Sequence, residues 1–288
     1  MIALLLVAAQ LAPLTVDCRF DAAKFEFAGT PIEQARCLLR HVQRGGDADG
    51  QVDLPPTLAR LIGQPAEIDS AKLAARLRRE RIALPATTPV SETLDHRRAI
   101  YFVIHDTSSP WIGSKDFPPG FDRQPRFNDV NQFLGKDAVA HLFNDRRGHV
   151  SVGHDFEVGW RATKLERILG DPVRGRFLHV ENVQPRREDA AGPRHNDRVA
   201  PDPGFTRAQY RTLALLYVLA SSRAGAWMIP AFHANIDRGI PEAHDDPQNF
   251  DLGAFDTNIA WWLARVQQSN NQKPRTGSRS GAPVPSGH

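Results

Sequence analysis

The chain has 288 residues, of which 41% are hydrophobic and 24% are charged. This length allows one full hydrophobic core and an accessory region, and the composition, ordinary for a soluble globular protein, excludes a chain that is disordered throughout. Lysine and arginine number 36 against 33 aspartate and glutamate residues, and this small basic excess fits an anionic partner without deciding among nucleic acid, lipid and cell wall.

The first residues form an apolar stretch, MIALLLVAAQLAPL, which predicts a secretory signal peptide over residues 1–17. The stretch is too short to span a bilayer, because a transmembrane helix needs about 20 apolar residues. Val7, Ala8 and Ala9 offer a small-residue cleavage site, although the usual positive charge before the apolar stretch is missing. We therefore expect an exported protein, periplasmic or secreted, with a buried N-terminal helix as the alternative interpretation.

Two cysteines, Cys18 and Cys37, follow this stretch, and the chain has no others. In an oxidising compartment such a pair predicts a disulfide, whose closed loop contributes about 3 kcal/mol in the chain-entropy model. In a cytosolic protein the same two residues would be reduced thiols. The disulfide prediction therefore depends on the prediction of export.

Residues 18–95 are predicted to form a small helical accessory region. Apolar residues at helical spacing predict helices over residues 31–42 and 69–81, and the turn-rich segment GGDADGQVDLPP connects them. That segment lacks the third acid and the distal glutamate of an EF-hand loop, so we interpret it as a connector. The segment 85–89, with a proline at each end, marks the boundary with a second domain over residues 96–268.

The second domain begins with a strand that is apolar from Ile100 to Ile104 and ends on His105. Five apolar or aromatic residues in a row are typical of a strand buried on both faces. The pattern after this strand predicts a long loop over residues 108–126 and a short helix over residues 130–134. Further strands are predicted over residues 138–143, 149–152, 156–160, 177–183 and 227–232.

Two more helices and a tail complete the predicted elements. Thr206 and Gln209 form a capping box, an apolar stripe follows it, and Gly225 ends the helix. A last helix is predicted over residues 254–266 from its apolar repeat. Residues 269–288 contain serine, asparagine, proline and glycine with no apolar pattern, so we predict a disordered tail.

Two histidines and one carboxylate suggest a metal site. His105 ends the first strand of the second domain. His233 follows the apolar run over residues 227–232, and Asp246 lies 13 residues after His233. A catalytic zinc takes three protein ligands and leaves its fourth position to water, so this set of side chains suits zinc. The sequence therefore predicts one Zn²⁺ ion held by these three residues.

Five segments resemble one known family in their order along the chain. They are VIHDTS, AHLFNDRRGHVSV, LHVEN, FTRAQY, and AFHANI followed by HDDPQNFD. Over residues 98–266 the chain is similar to the type 2 N-acetylmuramoyl-L-alanine amidases, whose fold is shared with peptidoglycan recognition proteins. The resemblance implies an α/β domain with a mixed central β-sheet flanked by helices and a zinc site at one sheet edge. It also implies zinc-dependent cleavage of the amide between N-acetylmuramic acid and L-alanine in peptidoglycan.

By position, the resemblance implies the same zinc ligands, His105, His233 and Asp246. It places Glu181 where the family has a glutamate that acts on the zinc-bound water, a role that suits a carboxylate whose pKa is raised by apolar neighbours. It places His244 where many members have a lysine. A hydrogen-bond donor there would stabilise the oxyanion that forms as hydroxide attacks the amide carbon. Because imidazole binds zinc equally well, His105, His233 and His244 form an alternative ligand set.

A binding module with the same fold but without catalysis is the alternative function. Members that only bind typically lack a zinc ligand, whereas here all three positions are filled, which favours the enzyme. A cytosolic enzyme that recycles muropeptides conflicts with the predicted signal peptide. We expect peptidoglycan or muropeptides as the substrate, no nucleic-acid partner and no membrane span, and the sequence makes no prediction of the oligomeric state.

Overall fold

The computed structural model describes residues 18–42, 50–135, 137–188 and 198–267. The predicted signal peptide and the predicted tail lie outside these ranges. Within the described ranges, no helix is both long enough and apolar enough to cross a membrane.

The described residues form strands, helices and several single 3-10 turns. The strands are β1 (Phe20–Asp21), β2 (Glu26–Phe27), β3 (Tyr101–Asp106), β4 (Leu142–Asn144), β5 (Val150–Val152), β6 (Phe177–Asn182), β7 (Arg187–Glu188), β8 (Arg198–Val199) and β9 (Ile229–Phe232). The helices are α1 (Pro31–Leu38), α2 (Pro56–Leu61), α3 (Ser70–Arg79), α4 (Lys164–Leu169), α5 (Arg207–Ala224), α6 (His233–Ile236) and α7 (Leu252–Val266).

The centre of the fold is a five-stranded mixed sheet with the strand order β5-β4-β6-β3-β9. Strands β4, β6, β3 and β9 run parallel, and β5 pairs antiparallel with β4 at one edge. All six side chains of β3 are buried, as expected of an inner strand in a parallel sheet. The predicted mixed α/β fold is therefore confirmed. Because parallel strands end at the same edge, the residues that follow β3, β6 and β9 lie together.

Helix α5 begins and ends where the capping pattern predicts. The Thr206 side chain accepts a hydrogen bond from the Gln209 N–H, and the Gln209 side chain accepts one from the Thr206 N–H, each at 3.1 Å. Gly225 ends the helix with a φ of +77°, a left-handed conformation that glycine adopts without steric cost. Helix α5 packs against α7, where the indole N–H of Trp262 donates to the Arg211 carbonyl at 2.7 Å.

Residues 18–95 contain the β1–β2 hairpin and helices α1 to α3. Cys18 and Cys37 form a disulfide, which confirms that prediction. Leu38 and Leu73 belong to the same hydrophobic cluster as the central sheet, so this region packs on the sheet-bearing part through a continuous core. The division into an accessory region and an amidase domain stays a prediction.

Two local predictions are wrong. Residues 156–160 form a turn and no strand, because the Asp155 carboxylate accepts a hydrogen bond from the Glu157 N–H at 3.1 Å and closes the chain on itself. The helix predicted over residues 130–134 is a single 3-10 turn, Asn131–Phe133. The hairpin predicted between these two segments is confirmed as β4 and β5, with shorter strands than expected.

Candidate metal centre

Three candidate ligands meet at the sheet edge where β3, β6 and β9 end. His105 is the fifth residue of the six-residue strand β3, and His233 follows β9 directly as the first residue of α6. Asp246 lies in the loop between α6 and α7, and its carboxylate accepts a hydrogen bond from the Asp106 backbone N–H at 3.1 Å. This bond holds the loop against β3, and all three candidate ligands are buried.

The three side chains direct their ligand atoms at a common point. Nδ1 of His105 and Nδ1 of His233 are 3.0 Å apart. Oδ2 of Asp246 lies 3.3 Å from Nδ1 of His233 and 3.7 Å from Nδ1 of His105. A tetrahedral zinc with bonds of about 2.0–2.2 Å would separate its ligand atoms by about 3.3–3.6 Å, so this spacing fits the ion. Among the described residues, this is the group of side chains that could hold a metal ion.

Each candidate histidine uses its second ring nitrogen for a buried partner. Nε2 of His233 lies 2.9 Å from Oδ2 of Asp237, and Nε2 of His105 lies 3.1 Å from Nδ1 of His179. A neutral imidazole carries its proton on one nitrogen and a lone pair on the other. When Nε2 donates to these partners, the Nδ1 lone pair of each ring is available to a metal.

Burial and neighbouring charges shift the pKa values of all three candidate ligands. Burial and the nearby His233 lower the pKa of His105 far below its ordinary value, which keeps it in the neutral form that binds metals. Burial disfavours the charged form of His233, but Asp246 and Asp237 outweigh burial and raise its pKa. Burial also disfavours ionised Asp246, but His233 outweighs burial and lowers its pKa. The pocket therefore favours a cation beside Asp246, whether a proton on His233 or a metal ion in its place.

Glu181 lies beside the three candidate ligands. It is paired with His105 in the β3–β6 ladder, and its Oε1 is 3.9 Å from Nδ1 of His105. Burial and the charge of Asp246 raise the pKa of Glu181 well above its ordinary value, while His233 opposes the shift. Its Oε2 is buried and has no hydrogen-bond partner among the described residues. A carboxylate in this environment can accept a proton from a molecule bound at the site.

His244 lies at the mouth of the site. Its side chain is 61% exposed, and its Nδ1 is 3.6 Å from Oδ1 of Asp246. Its ring centroid is 4.7 Å from that of His233. His244 can therefore contact a substrate, but it is not a member of the buried group that could hold a metal. The neighbouring Asp245 accepts a hydrogen bond from the side-chain amide of Gln248.

A buried ion pair beside the candidate ligands was not predicted from the sequence. Nη2 of Arg186 donates to both carboxylate oxygens of Asp106, at 2.9 and 2.7 Å. Burial raises the pKa of Asp106 to about 6, although Arg186 opposes the shift. Asp106 also accepts a hydrogen bond from the Gln248 backbone N–H at 3.1 Å, so the pair joins the end of β3 to the loop that carries Asp246. The two charges are 80 residues apart, and no local pattern connects them.

The site opens into a cleft of about 580 Å³. Glu181, His233, His244 and Asp246 all line this cleft. Its other lining residues include three arginines and two apolar side chains: Arg167, Arg186, Arg198, Phe133 and Val139. His233 and Asp246 are therefore accessible to a molecule larger than water.

Among known proteins, one of solved structure is similar to this chain. No protein-family model matches the chain, and no curated protein matches it. A chain of solved structure, the crystal structure of an Se-Met AmpD derivative, is similar to it at 18% sequence identity. The similarity covers 60% of this chain and 92% of that chain, with a TM-score of 0.33. The residues of the site therefore carry the evidence for a function.

Proposed function

We propose that the protein is a zinc-dependent amide hydrolase that cleaves the bond between N-acetylmuramic acid and L-alanine in peptidoglycan. The observation that carries the proposal is the convergence of His105, His233 and Asp246 beside the half-buried Glu181 in an open cleft. Three protein ligands and a neighbouring carboxylate are the side chains that a hydrolytic zinc site requires. The choice of substrate comes from the motif resemblance over residues 98–266.

Glu181 would act as general base and then as general acid. When bound, zinc supplies a Lewis acid that polarises the amide carbonyl and lowers the pKa of a water molecule. Glu181 would accept the proton of the attacking water, since its raised pKa and unpartnered Oε2 suit that role. As the water oxygen bonds to the amide carbon and the C–N bond breaks, Glu181 would return the proton to the departing amine. The products are a lactyl carboxylate and a free amino group on L-alanine.

We assign His244 to the charge that develops on the amide oxygen. Its ring packs against that of His233 and stays 61% exposed, so it borders both the candidate ligands and the cleft. A hydrogen-bond donor at this position would stabilise the oxyanion of the transition state. In its alternative role, His244 would be the third zinc ligand in place of Asp246. Replacing His244 would then lower the zinc content of the protein.

The cleft suits a peptide that carries carboxylates. Arg167 and Arg198 line it, and positive side chains attract an anionic substrate. Phe133 and Val139 offer apolar contact on the same lining. These features support the stem peptide of peptidoglycan as the class of substrate.

The disulfide supports an exported protein. Disulfides such as Cys18–Cys37 persist in oxidising compartments and are rare in the cytosol. We therefore propose that the mature protein acts in the periplasm or outside the cell. Intact-mass measurement of the natively expressed protein, before and after reduction, tests this proposal: we expect a chain cleaved within residues 1–17 and a mass that increases on reduction. A full-length chain with free thiols would contradict it.

Digestion of purified sacculi tests the activity directly. We expect the protein to release peptides with a free N-terminal L-alanine, identified by mass spectrometry, and to leave the glycan strands without peptides. A chelator should stop the release, and added zinc should restore it. A protein that sediments with sacculi but releases nothing would be the non-catalytic binding module, and this result would overturn the proposed activity.

A further inference from the structure

Several fully buried polar side chains lie behind the candidate ligands and take no part in the chemistry proposed above. They are His179 in β6, Glu166 in α4 and His141 just before β4. Nδ1 of His179 is 3.1 Å from Nε2 of His105, and Nε2 of His179 is 3.1 Å from Oε2 of Glu166. A candidate ligand is therefore connected, through a second histidine, to a buried carboxylate.

Each hydrogen bond in this series has a defined direction. When His105 presents Nδ1 to a metal, its proton is on Nε2 and is donated to Nδ1 of His179. His179 then carries its own proton on Nε2 and donates it to Glu166. The Glu166 carboxylate can only accept, and it also accepts from the Thr163 hydroxyl at 2.9 Å and the Ala162 N–H at 3.2 Å. Every proton has an acceptor, so the series stabilises one tautomer of His105.

The other histidine ligand is connected to the same helix. Nε2 of His233 donates to Asp237, whose two carboxylate oxygens accept from the backbone N–H groups of Lys164 and Leu165 at 2.9 Å each. Glu166 lies in the same first turn of α4 and closes its capping box. The first turn of α4 therefore anchors the partners of both histidines.

We propose that His179 and Glu166 are positioning residues of the metal centre, which hold His105 with its Nδ1 directed at the metal from the turn of α4 that also anchors Asp237. The inference deepens the proposed function and rests on its metal centre. It adds to that function two residues that touch neither metal nor substrate.

His141 provides a matched control for His179. It is equally buried, its ring lies 5.5 Å from that of His179, and its Nε2 donates to the Val158 carbonyl at 2.9 Å. His179→Phe removes the acceptor of the His105 N–H and the imidazole donor to Glu166, which keeps its hydrogen bonds from Ala162 and Thr163. His141→Phe removes a buried imidazole, and with it the acceptor of the His179 backbone N–H at 3.0 Å, but it leaves both ring nitrogens of His179 and their partners His105 and Glu166 unaltered.

The first test uses the zinc-loaded wild-type protein, so its result does not depend on whether a variant folds. Long-range proton–nitrogen correlation spectra of isotopically labelled histidines report which nitrogen of each ring carries a proton. We expect His105 to be metal-bound at Nδ1 and protonated at Nε2, and His179 to be protonated at Nε2 alone. Metal on Nε2 of His105, or a proton on Nδ1 of His179, would overturn the proposal.

The second test measures the zinc dissociation constant by competition with a chromophoric chelator. Loss of the hydrogen-bond partner of a metal ligand typically weakens metal binding about 10–100-fold, so we expect that loss for His179→Phe and an unchanged constant for His141→Phe. Thermal unfolding of the metal-free proteins measures the structural cost of each substitution. Equal zinc affinities of the two variants would refute the proposal. If His179→Phe does not fold, Glu166→Gln tests the next contact in the series, between His179 and Glu166, with weaker zinc binding expected and wild-type affinity as the refuting result.

These measurements require no amidase substrate, so the two hypotheses can fail separately. Wild-type zinc affinity in His179→Phe would overturn the positioning role and leave the hydrolysis untouched. A wild-type protein that binds zinc as expected but releases no peptide from sacculi would overturn the proposed function and leave the positioning role intact.

Discussion

Replacing Glu181 by glutamine separates the chemical role of this residue from metal binding. The substitution keeps the volume and shape of the side chain but removes the carboxylate that can take a proton. General acid–base catalysis contributes about 10²–10⁴-fold to a rate, which corresponds to about 2.7–5.4 kcal/mol of activation free energy. We therefore expect the rate of peptide release from sacculi to fall by that factor in Glu181→Gln.

The structure predicts that the same substitution preserves or increases stability. Oε2 of Glu181 is buried with no hydrogen-bond partner among the described residues, and the charge of Asp246 adds to the cost of ionising it. An unsatisfied buried polar group costs about 1–3 kcal/mol, and more when it is charged. Because the amide carries no charge, metal-free Glu181→Gln should unfold at the same temperature as the metal-free wild type or at a higher one.

Three measurements on one preparation test this reasoning: peptide release, zinc content by elemental analysis, and thermal unfolding with a chelator present. Glu67→Gln, the same substitution at an exposed position, is the control and should change none of them. Activity that survives in Glu181→Gln would refute the general-base role. Loss of zinc from this variant would show instead that Glu181 supports the metal site itself.

Four further substitutions test other parts of the structure. His233→Ala should abolish zinc binding and activity together, while the circular dichroism spectrum stays that of the wild type, because His233 lies beyond the end of β9. Asp106→Asn should lower the free energy of unfolding by about 3–5 kcal/mol in denaturant titrations, because it leaves the buried Arg186 guanidinium without a countercharge. Cys37→Ser opens the disulfide and should cost about 3 kcal/mol of stability under oxidising conditions, a difference that should vanish when the wild type is reduced. His244→Ala should lower turnover by about 10²–10³ and leave the zinc content unchanged, whereas lost zinc would make His244 a ligand and overturn its assignment.

The main elements of the fold were predictable where a local signal and the tertiary environment agree. All but the first residue of the apolar run Ile100–Ile104 lie in β3, an inner strand whose side chains are all buried. Thr206 and Gly225 flank α5 directly. The meeting of His105 with His233, 128 residues apart, was predictable for a related reason, because both follow apolar runs that become parallel strands and end at the same sheet edge.

The partners of the histidines were harder to predict from the sequence. Asp237 lies four residues after His233, the spacing of one helical turn, and this spacing is a signal that could have identified it. The contact between His179 and Glu166 has no such signal, because it depends on α4, which has six residues and no long apolar repeat. The strand expected over residues 156–160 fails for the opposite reason: its apolar residues suit a strand, but a side chain caps a turn there.

The turn that carries His233 is held from two sides of the molecule. On one side, the first turn of α4 anchors the carboxylate that receives the His233 N–H. On the other side, the side-chain amide of Asn235 donates to the carbonyls of Leu38 and Arg40 at 3.0 and 2.8 Å. These carbonyls belong to the end of α1 and the residues after it, so the orientation of His233 depends on the N-terminal region.

The disulfide acts on this same segment. Cys37 immediately precedes Leu38, and its bond to Cys18 ties the end of α1 to the start of the described chain. A disulfide reduces the conformational freedom of the segment that it closes, residues 18–37, and the carbonyls that bind Asn235 follow directly after this segment. Residues 18–42 therefore belong to the scaffold that positions a candidate metal ligand, although the family resemblance begins only at residue 98.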